Sequence, residues 1–281
     1  MRSTLFDPRI CQLGEGAFWH PERQQPFWFD ILGRRLLSRD HGRELEWRFD
    51  ERVSAAGWID RDTLLIASET ALFRFDLRDG SREHVTPLEA DNPRTRSNDG
   101  RADPFGGFWI GTMALDGSPE AGAIYRFHRG KLVKLRDRVS IPNAICFSPD
   151  GATAYYADTH LQTVWQQSLD GEGWPAGDPQ VFLDFSGSDE YPDGAVTDAQ
   201  GNFWNARWGT GRLVCHAPDG RVLDQISLPA AQVTCTAFMG ERLDRILLTS
   251  AAVDLDGAED GRSWLVLPDG PKGLPEPRVL A

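Results

Sequence analysis

Asn202-Phe203-Trp204-Asn205-Ala206 is a short aromatic run with Gly201 before it and Gly209-Thr210-Gly211 soon after, and it has near copies along the chain. Pro26-Phe27-Trp28-Phe29-Asp30 and Gly107-Phe108-Trp109-Ile110-Gly111 repeat the Phe-Trp core. Thr63-Leu64-Leu65-Ile66-Ala67, Ala154-Tyr155-Tyr156-Ala157 and Arg245-Ile246-Leu247-Leu248-Thr249 keep its shape with other apolar residues. Runs rich in aromatic and β-branched residues between turn formers read as strands. Their centres, residues 28, 65, 109, 155, 204 and 247, lie 37, 44, 46, 49 and 43 residues apart. That spacing is the period of a four-stranded propeller blade, and six blades use nearly the whole chain. The expected fold class is therefore all-β, a six-bladed β-propeller forming one domain over residues 1–281.

Outward from each centre the pattern continues. A second strand follows every run: Arg35-Leu36-Leu37, Leu72-Phe73-Arg74-Phe75, Ile124-Tyr125-Arg126-Phe127, Thr163-Val164-Trp165, Arg212-Leu213-Val214 and Trp264-Leu265-Val266. Turns such as Leu169-Asp170-Gly171 and Pro218-Asp219-Gly220 close these hairpins. With 28 Gly and 18 Pro spread along the chain, long amphipathic helices have no room to form. Two hairpins are longer than the rest, through Asp116–Ala123 and Ala251–Arg262, and long insertions in a regular array mark one functional face. A closed ring also needs its ends joined, so the stretch Phe6–Leu13 is expected to give the last blade its outer strand and remove an exposed edge. Two tandem β-sandwiches are the competing architecture, but they require no such period and there is no linker-like shift in composition near the middle.

Charge narrows the partners. Thirty Lys and Arg against 42 Asp and Glu leave a net charge of −12, which repels phosphate backbones and anionic lipid, so no nucleic-acid or membrane partner is expected. No apolar run approaches the ~18 residues of a spanning helix. The start, MRSTLFDPRI, lacks an apolar secretory core, and a cytoplasmic location is expected. Cys11, Cys146, Cys215 and Cys235 are scattered without a C-x-x-C pair and read as buried thiols. A monomer is the default expectation.

In a propeller the segments that open each blade converge on the central axis. Glu15, Asn98, Asn143 and Asp193 stand 13, 11, 12 and 11 residues ahead of their own strand centres, each on a segment flanked by Gly or Pro. A shared register places two carboxylates and two amides at the mouth of one channel. Packed together without a counter-charge they would repel and be poorly solvated, and a divalent cation resolves the conflict. Carboxylate and amide oxygens suit calcium first, then magnesium or manganese, with zinc or ferrous iron also accommodated. Taken singly, Asn-Asp-Gly and Pro-Asp-Gly are ordinary turn sequences; it is the common register that points to a site.

The same residues carry a family resemblance. Gly14-Glu15-Gly16 with Trp19-His20-Pro21, Arg96-Ser97-Asn98-Asp99-Gly100 with Asp103-Pro104 and Gly111-Thr112-Met113, Pro142-Asn143, and Tyr191-Pro192-Asp193-Gly194 together resemble the SMP-30/gluconolactonase/luciferin-regenerating family over residues 12 to 250. The resemblance implies a six-bladed propeller and a metal-dependent lactonase. It implies Glu15, Asn143 and Asp193 as metal ligands, Asp193 also as general base, Arg96 and Asn98 as substrate contacts, and Asp116 as an acid that touches sugar hydroxyls. Pro93-Arg94-Thr95-Arg96 replaces the family's more usual Asn-rich approach, Asp158-Thr159-His160 carries a His at a rim position often held by Leu, and Ala206-Arg207-Trp208-Gly209-Thr210-Gly211 differs from the vertebrate pattern and resembles bacterial sugar lactonases.

The expected reaction is hydrolysis of a sugar lactone, a small cyclic ester, to its aldonic acid. The metal polarises the carbonyl and Asp193 takes a proton from water. An aldonolactone is an activated ester, so a carboxylate base is sufficient without strong pKa tuning. His160 is a candidate rim residue and Trp208 a candidate sugar platform. Two alternatives remain open on the residues: a non-catalytic propeller stabilised by its metal, and a metal-dependent esterase for an aryl ester or organophosphate. There is no G-x-S-x-G elbow, P-loop, dinucleotide fingerprint or H-x-x-x-H pair.

Overall fold

The computed structural model describes residues 3–270 and 272–281. The chain forms six four-stranded antiparallel sheets. Numbered in chain order, they comprise β2–β5 (Gly14–His20, Gln25–Asp30, Arg35–Asp40, Arg43–Arg48), β6–β9 (Val53–Trp58, Thr63–Ser68, Ala71–Asp76, Arg82–Pro87) and β10–β13 (Thr95–Ala102, Phe108–Ala114, Gly122–His128, Lys131–Val139). The second half repeats the plan with β14–β17 (Pro142–Phe147, Thr153–Asp158, Thr163–Ser168, Gln180–Asp184), β18–β21 (Tyr191–Thr197, Phe203–Trp208, Arg212–His216, Val222–Ser227) and β22–β24 (Gln232–Met239, Arg245–Ala251, Ser263–Val266). The result is a six-bladed β-propeller. Among the described residues there is no helix, and so none long and apolar enough to cross a membrane.

The repeated aromatic runs are the second strand of each blade, and the polar segments upstream of them are strands in their own right. These innermost strands are buried on both faces, β2 and β14 along their full length. Without one wet face there is no in–out alternation to betray a strand. Outer strands such as β5 and β21 do alternate, because one side meets water. Burial follows the same gradient. Trp28, Trp109 and Trp204 are almost wholly enclosed in three second strands, Trp109 and Trp204 packed toward the following blade and Trp28 on the opposite face, against the last one. All four cysteines are free and buried.

β1 (Ser3–Asp7) pairs antiparallel with β24 as the outer strand of the last sheet. It lies earlier than the expected Phe6–Leu13. Pro8 has no N–H to extend the ladder, and Arg9 turns back so that its Nε donates to the buried Asp7 carboxylate at 2.9 Å. The chain then runs inward, with Cys11 N–H donating to Gly261 O at 2.8 Å and Leu13 bridging to Ala251.

The far end of the molecule holds an element that was not foreseen. After β24 the chain crosses the ends of the inner strands as an extended strap. Ala199 N–H donates to Lys272 O, Gly273 N–H to Leu243 O, Val279 N–H to Trp58 O and Leu280 N–H to Gly106 O, at 2.8 to 2.9 Å. Glu276 pairs with the buried Arg101, and Val279 is fully enclosed. This strap joins four blades and leaves the opposite mouth of the channel free.

Candidate active site

At that opposite mouth the inner strands begin, and a cavity of about 650 Å³ opens there. Glu15, Arg96, Asn98, Asn143 and Asp193 all line it, from four different blades. The convergence follows from a repeated local irregularity: every inner strand slips register once against its second strand near its start. A β-bulge re-aims side chains and sharpens the local bend. In the two remaining blades hydroxyl residues sit at the bulge and bond to neighbouring strands, Ser54 Oγ to Ser97 Oγ at 2.7 Å and Thr234 Oγ1 to Gly14 O.

Two backbone conformations fix the acceptors. Gly16 follows Glu15 with φ 57° and Ala144 follows Asn143 with φ 56°. A Cβ on Gly16 would stand 2.2 Å from the Ser54 carbonyl oxygen and 2.8 Å from the Phe29 ring. Gly16→Ala is accordingly expected to cost more than about 2 kcal/mol, from the left-handed penalty plus the clash. Thermal melting checks this; an unchanged midpoint would mean that the backbone relaxes freely there.

The amides are oriented by a chain of hydrogen bonds. Arg96 Nη1 donates to Asn98 Oδ1 at 2.7 Å and to Ser97 O at 2.9 Å. Asn98 Nδ2 donates to Asn143 Oδ1 and to Pro142 O, both at 3.0 Å. Asn143 Nδ2 donates to Thr159 Oγ1 at 2.8 Å, and that hydroxyl donates to Pro192 O at 2.7 Å. Both amide nitrogens of this relay donate within the protein, and Asn143 Oδ1 keeps a lone pair for the cavity. Asp99 and Asp103, possible loop partners of Arg96, are otherwise occupied: Asp99 accepts from Ile145 N–H and Asp103 from Arg126 Nε.

The carboxylates are in a different state. Asp193 Oδ1 is buried and meets no hydrogen-bond partner in the protein. Burial first, then repulsion from Glu15 and Asp99, raises the Asp193 carboxyl well above its ordinary range. Glu15 is raised too, by burial and by Asp99. Burial lowers the Arg96 guanidinium to about 10 against the pull of Glu15, so it stays cationic at neutral pH. Among the described residues no three His, Cys, Asp or Glu side chains form a ligand cluster. The oxygen set is two carboxylates and an amide, and an orphaned buried oxygen among like charges fits a hard divalent cation.

Asp116 is not brought into the cavity. It is exposed, and its Oδ1 caps its own turn by accepting from Ser118 N–H at 3.0 Å and Ser118 Oγ at 2.6 Å. Neighbouring Leu115 lines the pocket instead, and Val253 of the other long hairpin joins it. His160 and Trp208 are both on the wall. Arg52, Thr159, Gln162 and Tyr191 also line the site without a role assigned from sequence; Thr159 and Tyr191 lie inside quoted motifs, and Arg52 and Gln162 belong to loops without one. Arg52 is salt-bridged to Glu69 at 2.5 Å.

Fold and site together define a six-bladed propeller with a polar axial pocket built from buried carboxylate and amide oxygens. The chain belongs to the SMP-30/Gluconolactonase/LRE-like family, whose model matches residues 13–252. A protein of Rhizobium meliloti, provisionally named a sugar lactone lactonase, is 41% identical over 250 residues, covering 88% of this chain and 85% of its own. The L-arabinolactonase of Azospirillum brasilense is 36% identical over 262 residues, covering 90% and 86%. Among solved structures, regucalcin of Agrobacterium tumefaciens, described as a calcium-binding protein, superposes with a TM-score of 0.95 at 38% identity over 99% of this chain and 97% of its own.

Proposed function

We propose that the chain hydrolyses a sugar lactone to its aldonic acid, with one divalent cation held by Glu15, Asn143 and Asp193 and with Asp193 as general base. The observation that carries this reading is the buried, unpartnered Asp193 Oδ1 beside Glu15 and Arg96 at a cavity of about 650 Å³, room enough for a sugar ring. The lactonase names of its relatives support the substrate class, and the calcium-binding neighbour supports calcium as the first ion to test. A cation bound there supplies Lewis-acid polarisation of the lactone carbonyl.

The protein's own residues do the rest. The Asp193 carboxylate accepts a proton from the attacking water and returns it to the ring oxygen as the C–O bond breaks, so water is consumed and no proton is left on the enzyme. Arg96, anchored through Nη1, offers its remaining donors to sugar hydroxyls or to the developing oxyanion. Met113, Leu115, Ile141 and Trp208 give the cavity apolar walls that exclude bulk water, with Trp208 as a stacking face for the sugar. A contact from Asp116 would require its turn to fold inward over the pocket.

Proton release on adding glucono-, galactono-, arabinono- or xylonolactone, before and after chelation, tests the proposal. Activity with at least one lactone that disappears with chelator and returns with calcium or another divalent ion is expected; chelation-independent or absent release with every lactone would overturn it. Binding also has a pH signature. Glu15 and Asp193 carry raised pKa values in the folded chain, so the fold favours their neutral forms, and the contribution of these two groups to metal-free stability is greatest at low pH and lost as pH rises above the ordinary carboxylate range. Protons compete with the ion for the same oxygens. The rise in melting temperature on adding calcium should therefore be larger at about pH 8 than at about pH 5. An equal rise at both would place the ion elsewhere.

A further inference from the structure

The blade that carries Asp193 contains a buried polar network for which the proposed chemistry has no direct use. Asn205 and Arg207 lie on β19, opposite the bulge of β18, and both are almost wholly enclosed. Asn205 Nδ2 donates to the backbone carbonyls of Asp193 at 2.7 Å and Gly194 at 3.2 Å. Arg207 Nη1 donates to Asn205 Oδ1. The same guanidinium places Nε 3.2 Å from Glu190 Oε2, an ion-pair contact without hydrogen-bond geometry. Its carbon lies 4.1 Å from the centre of the Phe185 ring. Glu190 comes three residues before Asp193, and its other oxygen pairs with Arg212.

The fourth contact fixes a tautomer. Arg207 Nη2 lies 2.8 Å from His216 Nε2, and His216 Nδ1 lies 2.9 Å from Gly220 O. An arginine only donates and a carbonyl only accepts, so His216 is the neutral ring with its proton on Nδ1. Burial lowers His216 to about 4, in keeping with that assignment.

A guanidinium buried this deeply is costly, and an apolar side chain of similar volume would fill the space at lower cost. What the planar fork adds is direction. In the ladder Arg207 stands opposite Pro192, whose ring nitrogen cannot donate, so the residue just before Asp193 is held through its carbonyl, which accepts from Thr159, and not through its nitrogen. We propose that Arg207 and Asn205 are positioning residues for Asp193: one guanidinium holds the chain on both sides of that carboxylate, through Glu190 before it and through Asn205 at its own carbonyl. The inference rests on Asp193 being the working carboxylate and metal ligand. Outer-shell partners of this kind govern ligand geometry, and their loss costs about 10–100-fold in metal affinity or activity.

Arg207→Lys keeps the charge and removes the fork; Asn205→Ser removes the carboxamide that grips both carbonyls; Arg78→Gln, an exposed arginine ion-paired to Asp76 on another blade, is the control. Each is compared with the parent by kcat and KM on the best lactone, by calorimetric titration with calcium chloride and with zinc chloride, and by amide hydrogen exchange over residues 190–195 in chelator. The first two variants should lose about tenfold or more in kcat and ion affinity with KM within about twofold, and should exchange faster at 190–195 while other blades stay unchanged. The control should resemble the parent. A folded Arg207→Lys or Asn205→Ser chain with kcat, affinity and local exchange all at parental values would overturn the proposal, and if one fails to fold the other decides. Exchange is read without metal or substrate. A parent with no turnover and no ion binding would defeat the functional reading, while unchanged exchange would defeat the tether.

Discussion

Asp193→Asn should lower lactone turnover by about 10²- to 10⁴-fold and leave the propeller intact. The substitution is isosteric, and Asp193 Oδ1 has no protein partner to lose. It also removes one of the two buried carboxyls that repel each other in the metal-free chain, so the metal-free melting temperature should hold or rise. Ion affinity should fall, because a charged ligand becomes a neutral one. Steady-state kinetics at saturating ion, beside a melting curve in chelator, separates these effects. Undiminished kcat in the Asn variant would move proton transfer to another group. A parent that binds calcium but turns over no lactone would favour a binding propeller of the kind the Agrobacterium neighbour's description suggests.

The largest stability loss is expected at Trp204→Ala. The indole is almost wholly enclosed, donates from Nε1 to Asp198 Oδ2 at 2.9 Å, and meets Phe238 edge-on with centroids 6.3 Å apart. Phe238 in turn supports the strap, since a side chain at Gly273 would collide with it. Emptying the site should cost about 3–5 kcal/mol, with part of the loss felt at the far end of the channel. Trp204→Phe keeps the ring and loses the donor, and should cost less, of the order of 1–2 kcal/mol. At Trp109 the indole N–H meets no protein acceptor, so Trp109→Phe should cost less again. Denaturant melts of the three variants rank them; equal losses at Trp204→Phe and Trp109→Phe would deny the hydrogen bond a role.

Residues with a repeated signature were readable in the sequence. The apolar runs mark one strand per blade because their side chains fill the gaps on the two faces of that strand, Trp28 against the last blade and Trp109 and Trp204 against the following one. Glu15, Asn98, Asn143 and Asp193 are legible because the bulge recurs at a nearly constant distance from that strand. The inner strands were hidden as strands, since burial on both faces erases alternation. The strap was hidden for a related reason: Leu274-Pro275-Glu276-Pro277 has the composition of a loop, and its anchoring relies on backbone groups and on Arg101 more than 170 positions away, at a separation of 175. Asp116 shows the opposite failure. An acid after Gly-Thr-Met fits a sugar contact by position, yet Ser118 two residues on offers its side chain and backbone as nearer partners, and the carboxylate turns to them. Arg52 and Thr159 became visible only once blades far apart in sequence were side by side.

The strap gives the molecule a usable polarity for work at surfaces. A linker placed behind Ala281 leaves from the end remote from the pocket, so a chain tethered to a bead or electrode by that linker would face its cavity outward, toward incoming sugar. A linker at the other terminus starts from the outermost strand of a blade and would hold the molecule side-on. Comparing catalytic yield from the two attachments would turn an architectural detail into a measurement of access.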